Sequence, residues 1–289
     1  MSAADPRLGQ ILDGRYRLDS VLGEGTMGCV YVAEQLAMKR RVAVKLLLPE
    51  AVGDEAYVAR FRREVDAVTR LRSPHCITFF DFGTAGDDLY IVMELLDGET
   101  LRQRLERGPL DAAATGAIVS AVCSCLAEAH AAGVLHRDLK PENLFLCRPA
   151  ADRAGEHVKV LDFGLAKLVA PDDRNAGVLT RPRTAVGTPA YLAPEMARGA
   201  EPDASVDLYA LGIVTFEMLT GERPFDGVNA TKMMLAHILE PIPSALARRP
   251  ELPAGIDAFF TVALAKERAE RFEDAAHFGS ALAAVLGPR

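Results

Sequence analysis

His136-Arg137-Asp138-Leu139-Lys140-Pro141-Glu142-Asn143, followed downstream by Asp162-Phe163-Gly164, is the stretch that decides how this chain is read. Moving the terminal phosphoryl group of a nucleotide requires a divalent cation to neutralise the phosphates and a carboxylate to position the attacking hydroxyl. Asp138, Asn143 and Asp162 supply hard oxygen donors and a base suited to both tasks.

Working upstream, Gly23-Glu24-Gly25-Thr26-Met27-Gly28-Cys29-Val30 spaces three glycines so that backbone N–H groups can approach phosphate oxygens with no Cβ in the way. A dinucleotide-binding fingerprint would lead into a helix, whereas Val30-Tyr31-Val32-Ala33 reads as a strand. A P-loop needs Lys and then Ser or Thr after its last glycine, and Cys29 and Val30 stand there instead. Val42-Ala43-Val44-Lys45 follows. An ammonium in so apolar a run needs a partner to offset desolvation, and Glu64 is the candidate, with an incidental ion pair as the alternative.

The surrounding pattern is α+β. Tyr16–Leu22, Val30–Glu34, Arg41–Leu48, Thr78–Phe82 and Leu89–Met93 read as strands, the last two joined by a turn at Gly86-Asp87-Asp88. Val58, Phe61, Val65, Val68 and Leu71 recur at helical spacing between them. After Gly98 the chain turns helical. Helices are expected at Ala112–Ala132 (closed by Gly133), Ala204–Thr220 (closed by Gly221), Thr231–Glu240, Ile256–Lys266 and Asp274–Leu286. Arg148–His157 reads as a polar hairpin loop, a surface insert of the kind chains tolerate, and Ala170–Val186 as a long loop of a length that is usually functional or mobile. A strand-rich lobe over about 16–96 with one key helix, a mainly helical lobe over about 97–286 and a loose leader over 1–15 make up the expected organisation.

Composition adds exclusions. The 289 residues are 49% hydrophobic and 25% charged, ordinary for a globular chain. A net charge of −7 gives no electrostatic reason to expect nucleic acid. Cys29, Cys76, Cys123, Cys125 and Cys147 form no C-x-x-C pair and read as scattered thiols of a reducing compartment. No signal peptide opens the sequence, and the apolar run Tyr209–Leu219 is too short to span a bilayer. A cytoplasmic location without a membrane segment is the expectation.

With Ala193-Pro194-Glu195, Asp207 and Arg271 added in order, the chain resembles the eukaryotic-like (Hanks-type) protein kinases, and in detail the bacterial serine/threonine kinases. The resemblance runs over about 270 residues. It implies a bilobal protein kinase fold and a transferase that moves the γ-phosphate of ATP to Ser or Thr of protein substrates. It also implies Mg2+, with Mn2+ as a substitute, and a homodimer as one route to autophosphorylation.

Residue by residue, the resemblance places Gly23, Gly25 and Gly28 over the phosphates and Lys45 on the α- and β-phosphates, paired with Glu64. Leu22, Val30, Ala43 and Phe145 would sandwich the adenine, whose edge meets the main chain at Glu94 and Leu96, with Met93 as gatekeeper. Asp138 would orient the hydroxyl, Lys140 would steady the γ-phosphate, and Asn143 and Asp162 would hold the metal. Lys140 and Thr188 fit the Ser/Thr pattern. Arg137 beside Asp138 implies control by a phosphate on the activation loop, with Thr180 and Thr184 as candidate acceptors. Phe163, His136, Val68 and Phe79 would stack as a spine, Glu195 would pair with Arg271, and Asp207 would anchor the catalytic loop. Met27 at the glycine-loop tip and the long segment between Asn143 and Asp162 depart from the family's pattern. A pseudokinase scaffold and a small-molecule kinase are the competing readings. The intact set of Lys45, Glu64, Asp138, Asn143 and Asp162 opposes the first, and the Ala-Pro-Glu and Gly-Thr-Pro segments oppose the second.

Overall fold

Alternation in the first third of the chain builds a sheet with two unlike faces. The computed structural model describes residues 5–25, 28–47, 63, 65–86, 88–148, 157–163 and 189–287. These fall into two compact units, one drawn from residues 1–70 and 77–97 and the other from residues 71–76 and 98–289. The short segment 71–76 therefore belongs with the helical unit, although the sequence places it in the strand-rich lobe.

In the first unit, β1 (Ile11–Leu12), β2 (Tyr16–Gly25), β3 (Gly28–Gln35), β4 (Arg40–Leu47), β5 (Phe79–Ala85) and β6 (Asp88–Met93) form one antiparallel sheet in the order β1-β2-β3-β4-β6-β5. Residues directly opposite in an antiparallel pair share a face. Val44 lies opposite Tyr31 and Val92, and these join Leu12, Tyr16, Leu18 and Tyr90 in a buried cluster. Each such large apolar side chain, fully buried, contributes about 1.5–3 kcal/mol. The other face carries Ala43 opposite Val32 and Met93, and Lys45 opposite Val30 and Ile91. Gly28 has φ +139°, and a Cβ there would collide with the carbonyl of Leu46, so the strand pair can close only on glycine.

The leader is not loose where it is described. β1 pairs with β2, Leu12 is fully buried, Arg7 bonds Asp88 at 3.0 Å, and the Tyr31 hydroxyl donates to Asp5 at 2.7 Å. The expected strand Thr78–Phe82 is displaced to Phe79–Ala85, whose far end pairs through Ala85 and Asp88, while the Thr78 N–H donates to the Glu94 carboxylate at 2.7 Å. Of the expected helix before it, 65–68 is helical, with Val65 and Val68 buried.

The second unit holds a small sheet of β7 (Gly98–Thr100), β8 (Leu144–Cys147) and β9 (His157–Val160), in that order. Cys147 lies opposite His157, so the chain reverses there as expected, although 149–156 lie outside the described residues. The main helices are α1 (Leu101–Leu105), α2 (Ala112–Ala131), α3 (Pro194–Ala197), α4 (Ser205–Thr220), α5 (Ala230–Leu239), α6 (Ala245–Arg248), α7 (Ile256–Ala263) and α8 (Ala275–Leu286). Local signals set their ends. Asp111 accepts the Ala114 N–H at 2.7 Å, Thr100 and Gln103 form a reciprocal capping box, and Gly221 closes α4 in the left-handed region at φ +81°. The helix expected over Ile256–Lys266 ends instead at Ala263, and the Lys266 ammonium lies 3.8 Å from the centroid of the Phe225 ring.

Helix α4 is buried along Val206–Leu219 and forms the centre of this unit. Helix α2 packs on α4, α8 and β9. Among the described residues it is the one helix long and apolar enough to cross a membrane, yet half of that apolar window is buried against these neighbours, as a core helix would be. The cysteine reading is corrected here. Cys76 and Cys125 are joined in a disulfide with Cα atoms 5.9 Å apart, while Cys29, Cys123 and Cys147 are free. Their separation of 49 positions hid the pairing, since sequence shows no contact at that range.

Candidate active site

Segment 136–138 is held from beneath by one buried carboxylate. Asp207, in the first turn of α4, accepts the backbone N–H groups of His136 and Arg137, each at 2.8 Å, and bonds His130 Nε2 at 2.8 Å. Burial alone would raise this carboxyl. The His130 hydrogen bond, the neighbouring His136 and the backbone donors outweigh it and hold it below the usual carboxylate range. These bonds stabilise a turn in which Arg137 adopts φ +65°, a conformation rare for a non-glycine residue and typical of functional sites.

His136 supports the loop from within. Its Nε2 lies 2.7 Å from the Leu161 carbonyl, and its Nδ1 lies 3.3 Å from the Asp138 N–H. Nε2 donating to the carbonyl and Nδ1 accepting from the amide satisfy both contacts. The His136 ring also packs on Phe163 at 4.8 Å, forming the part of the expected spine that lies in this unit. Val68 and Phe79 belong to the other unit.

Asp138, 9% exposed, is gripped from two sides. Lys140 Nζ donates to Asp138 Oδ2 at 2.7 Å, and Asn143 Nδ2 donates to Asp138 O at 2.8 Å and to Oδ2 at 3.2 Å. With its amide nitrogen committed to Asp138, Asn143 has its oxygen to offer a cation. Asp162 stands at φ +55° beside Leu161, whose N–H bonds the Asn143 carbonyl at 2.8 Å. An amide oxygen and a carboxylate are the hard donors that suit Mg2+, which keeps the rest of its octahedron for water and phosphate oxygens. Among the described residues no cluster of three or more His, Cys, Asp or Glu forms a self-sufficient metal cage.

In the first unit, Lys45 is 5% exposed and shares its sheet face with Ala43, Val30 and Met93. Gly23 lies opposite Val30 and Gly25 opposite Gly28, so the glycine motif forms the hairpin end of β2 and β3. Leu22 is exposed beside that hairpin, and the Glu94 N–H is spent on Thr78 O at 3.0 Å. Phe145, in the second unit, lies opposite Thr100 and Lys159. Glu64, Thr180, Thr184 and Thr188 lie outside the described residues.

Two features escaped sequence reasoning. His130 as the third partner of Asp207 is one. The other is Arg102, which binds Glu142 at 2.9 Å, Glu217 at 2.8 Å and the Tyr191 hydroxyl at 2.5 Å at the edge of a polar pocket of about 690 Å3. Glu142 is thus engaged by an arginine 40 positions away.

A model of the protein kinase domain matches residues 16–277. The chain is 40% identical over 285 residues to the serine/threonine-protein kinase pkn3 of Myxococcus xanthus, covering 97% of this chain and 52% of that one. It is 36% identical to the serine/threonine-protein kinase PrkC of Bacillus subtilis, covering 93% of this chain and 40% of that one. The chain therefore spans about half, or less, of the length of these curated relatives. Among solved structures it resembles the Mycobacterium tuberculosis PknI kinase domain, with a TM-score of 0.73, 29% identity and 98% coverage of both chains. An α+β fold of this likeness, a loop ordered around Asp138 and a family match along most of its length lead to one assignment: the chain belongs to the protein kinase family and is akin to the bacterial serine/threonine kinases.

Proposed function

We propose that this chain transfers the γ-phosphoryl group of ATP to serine or threonine hydroxyls of proteins, its own activation segment included. The observation that carries the proposal is Asp138, held between Lys140 and Asn143 on a loop pinned by Asp207. Asp138 orients the acceptor hydroxyl and receives its hydrogen bond. Lys140, already at Asp138, places a positive charge where the transferring group gains negative charge. Mg2+, bound through Asn143 and Asp162, would neutralise phosphate charge. Lys45 would hold the α- and β-phosphates, supported by Glu64. Gly23, Gly25 and Gly28 would cover the phosphates, while Leu22, Val30, Ala43, Met93, Glu94, Leu96 and Phe145 would line the adenine site. Mn2+ offers a second hard cation of similar use.

Regulation follows from Arg137. Its Nε is buried and has no hydrogen-bond partner among the described residues. A buried donor left unmade is costly, and a phosphate on Thr180 or Thr184 would supply the missing acceptor. Transient homodimerisation is the simplest way for one chain to reach the loop of another, and a cytoplasmic setting would supply ATP.

The test is radiolabelled ATP with a generic protein acceptor, comparing wild type with Asp138→Asn. A loss on the order of 10²–10⁴-fold is expected for removing a positioned base. Equal incorporation by both proteins sinks the enzymatic reading in favour of a scaffold. Strong labelling of a sugar or drug acceptor but of no protein points to a small-molecule kinase.

A further inference from the structure

Segment 71–76 is fastened along its length to the helical unit. The Arg72 N–H donates to Glu128 on α2 at 2.6 Å, His157 Nε2 meets Pro74 O at 2.9 Å, and His75 Nδ1 meets Val158 O at 2.9 Å. The Val160 N–H donates to His75 O at 2.7 Å, Lys159 donates to Cys76 O at 3.1 Å, and Cys76 forms a parallel bridge with Val160. All but the first of these fall on β9, the strand that runs directly into Asp162. The covalent member of the set is the Cys76–Cys125 bond to the buried middle of α2.

We propose that Cys76 and Cys125 are a reversible thiol–disulfide modification site, which clamps β9 ahead of Asp162 when oxidised and loosens it when reduced. The step is exchange with a disulfide oxidant, RSSR. One cysteine thiolate attacks an RSSR sulfur and displaces RS−. The second cysteine thiolate then attacks the protein sulfur of the mixed disulfide and displaces the other RS−. The two protons shed by the cysteine thiols leave with the two RS− groups as RSH, and two electrons pass from the pair to the oxidant. A dithiol reductant runs the sequence backwards.

Cys76 is 4% exposed and Cys125 is fully buried, so exchange requires segment 71–76 to lift locally from β9. Cys123, two positions before Cys125, is a bystander. Its side chain packs against Gly279 of α8, and burial pushes its thiol up to about 12.

The test uses the full chain and needs no ATP, so its failure is distinct from failure of the phosphotransfer reading. The protein is treated with oxidised glutathione or with dithiothreitol, denatured, alkylated with iodoacetamide, and weighed intact. Three of the five cysteines should label after oxidation and all five after reduction, with the cross-link mapping to Cys76 and Cys125. Reduction should lower Tm by about 5–10 °C. It should also quicken amide hydrogen exchange across 157–163 about tenfold or more. In Cys125→Ala neither Tm nor exchange should respond to dithiothreitol. Five labels after oxidation, a cross-link between other cysteines, exchange across 157–163 that ignores reduction, or a Cys125→Ala variant that responds like wild type would each overturn the proposal.

Discussion

Glu195 and Arg271, 76 positions apart, meet fork to fork: Arg271 Nη1 reaches Glu195 Oε1 and Nη2 reaches Oε2, each at 2.7 Å. Both are buried, and the guanidinium also donates from Nε to Ala265 O at 2.8 Å and stacks 4.7 Å from the Tyr209 ring. Burial would raise the Glu195 carboxyl, but the Arg271 hydrogen bonds and charge overcome this and lower it. Arg271→Ala leaves a buried carboxylate without its cation and should cost about 3–5 kcal/mol in urea unfolding. Arg271→Lys should recover only part, since an ammonium cannot make the bidentate contact.

Asp207 accepts two backbone N–H groups on two carboxylate oxygens, and an amide has only one such acceptor. Asp207→Asn should turn its amide nitrogen against one N–H and shift the loop that carries Asp138. The expected result is a kcat loss on the order of 10²-fold, as misplacement of about 1 Å brings. The KM for ATP should change little, because the interaction lost is one expressed in the transition state. A kcat equal to wild type would show that the loop holds its shape without the carboxylate pair.

These two anchors were legible only through the resemblance to the kinase family, which pairs Glu195 with Arg271 and seats Asp207 beneath the loop of Asp138. Asp138, Lys140 and Asn143 sit within one turn and a short helix, so the backbone itself brings them together. The main helices were legible from local signals, since Gly133 and Gly221 mark their ends. What stayed hidden depends on contacts between distant residues. The two-residue strand Ile11–Leu12 has no pattern of its own and exists because Arg17 and Tyr16 lie opposite it. Cys76 and Cys125, and Arg102 with Glu217, are 49 and 115 positions apart, and nothing near either member announces the other.

Arg102 supplies a test of such a hidden contact. Its guanidinium bonds Glu142, Tyr191 and Glu217, and Glu217 is 5% exposed. The Tyr191 hydroxyl also donates to Glu217 at 2.7 Å, and burial pushes that phenol well above its ordinary range. Arg102→Ala should destabilise the protein by about 1–3 kcal/mol, the cost of an under-satisfied buried group. Adding Glu217→Gln should restore part of the loss, so the double variant should be more stable than the sum of the singles implies. Additive thermal shifts would show that the two side chains are not coupled.

His237 sets an acid limit. Its imidazole is fully buried in α5, with the Tyr209 hydroxyl 3.0 Å from Nδ1 and the Phe225 ring at 5.1 Å. Burial, aided by the Lys266 charge, pushes it from 6.5 down to about 4. The unfolded chain therefore binds a proton that the folded chain refuses across that window. Stability from this group is fully present above about pH 6.5 and is lost as pH falls towards 4, to the extent of about 3 kcal/mol. Asp207 and Glu195, both lowered, lose their contributions only below their unfolded values of about 3.8 and 4.5, so the first loss on acidification belongs to His237. His237→Gln removes the titration, and its urea midpoint should be lower than wild type at pH 7 yet nearly flat between pH 6.5 and 5. A wild-type midpoint just as flat over that interval would show that the imidazole titrates alike in the folded and unfolded chains.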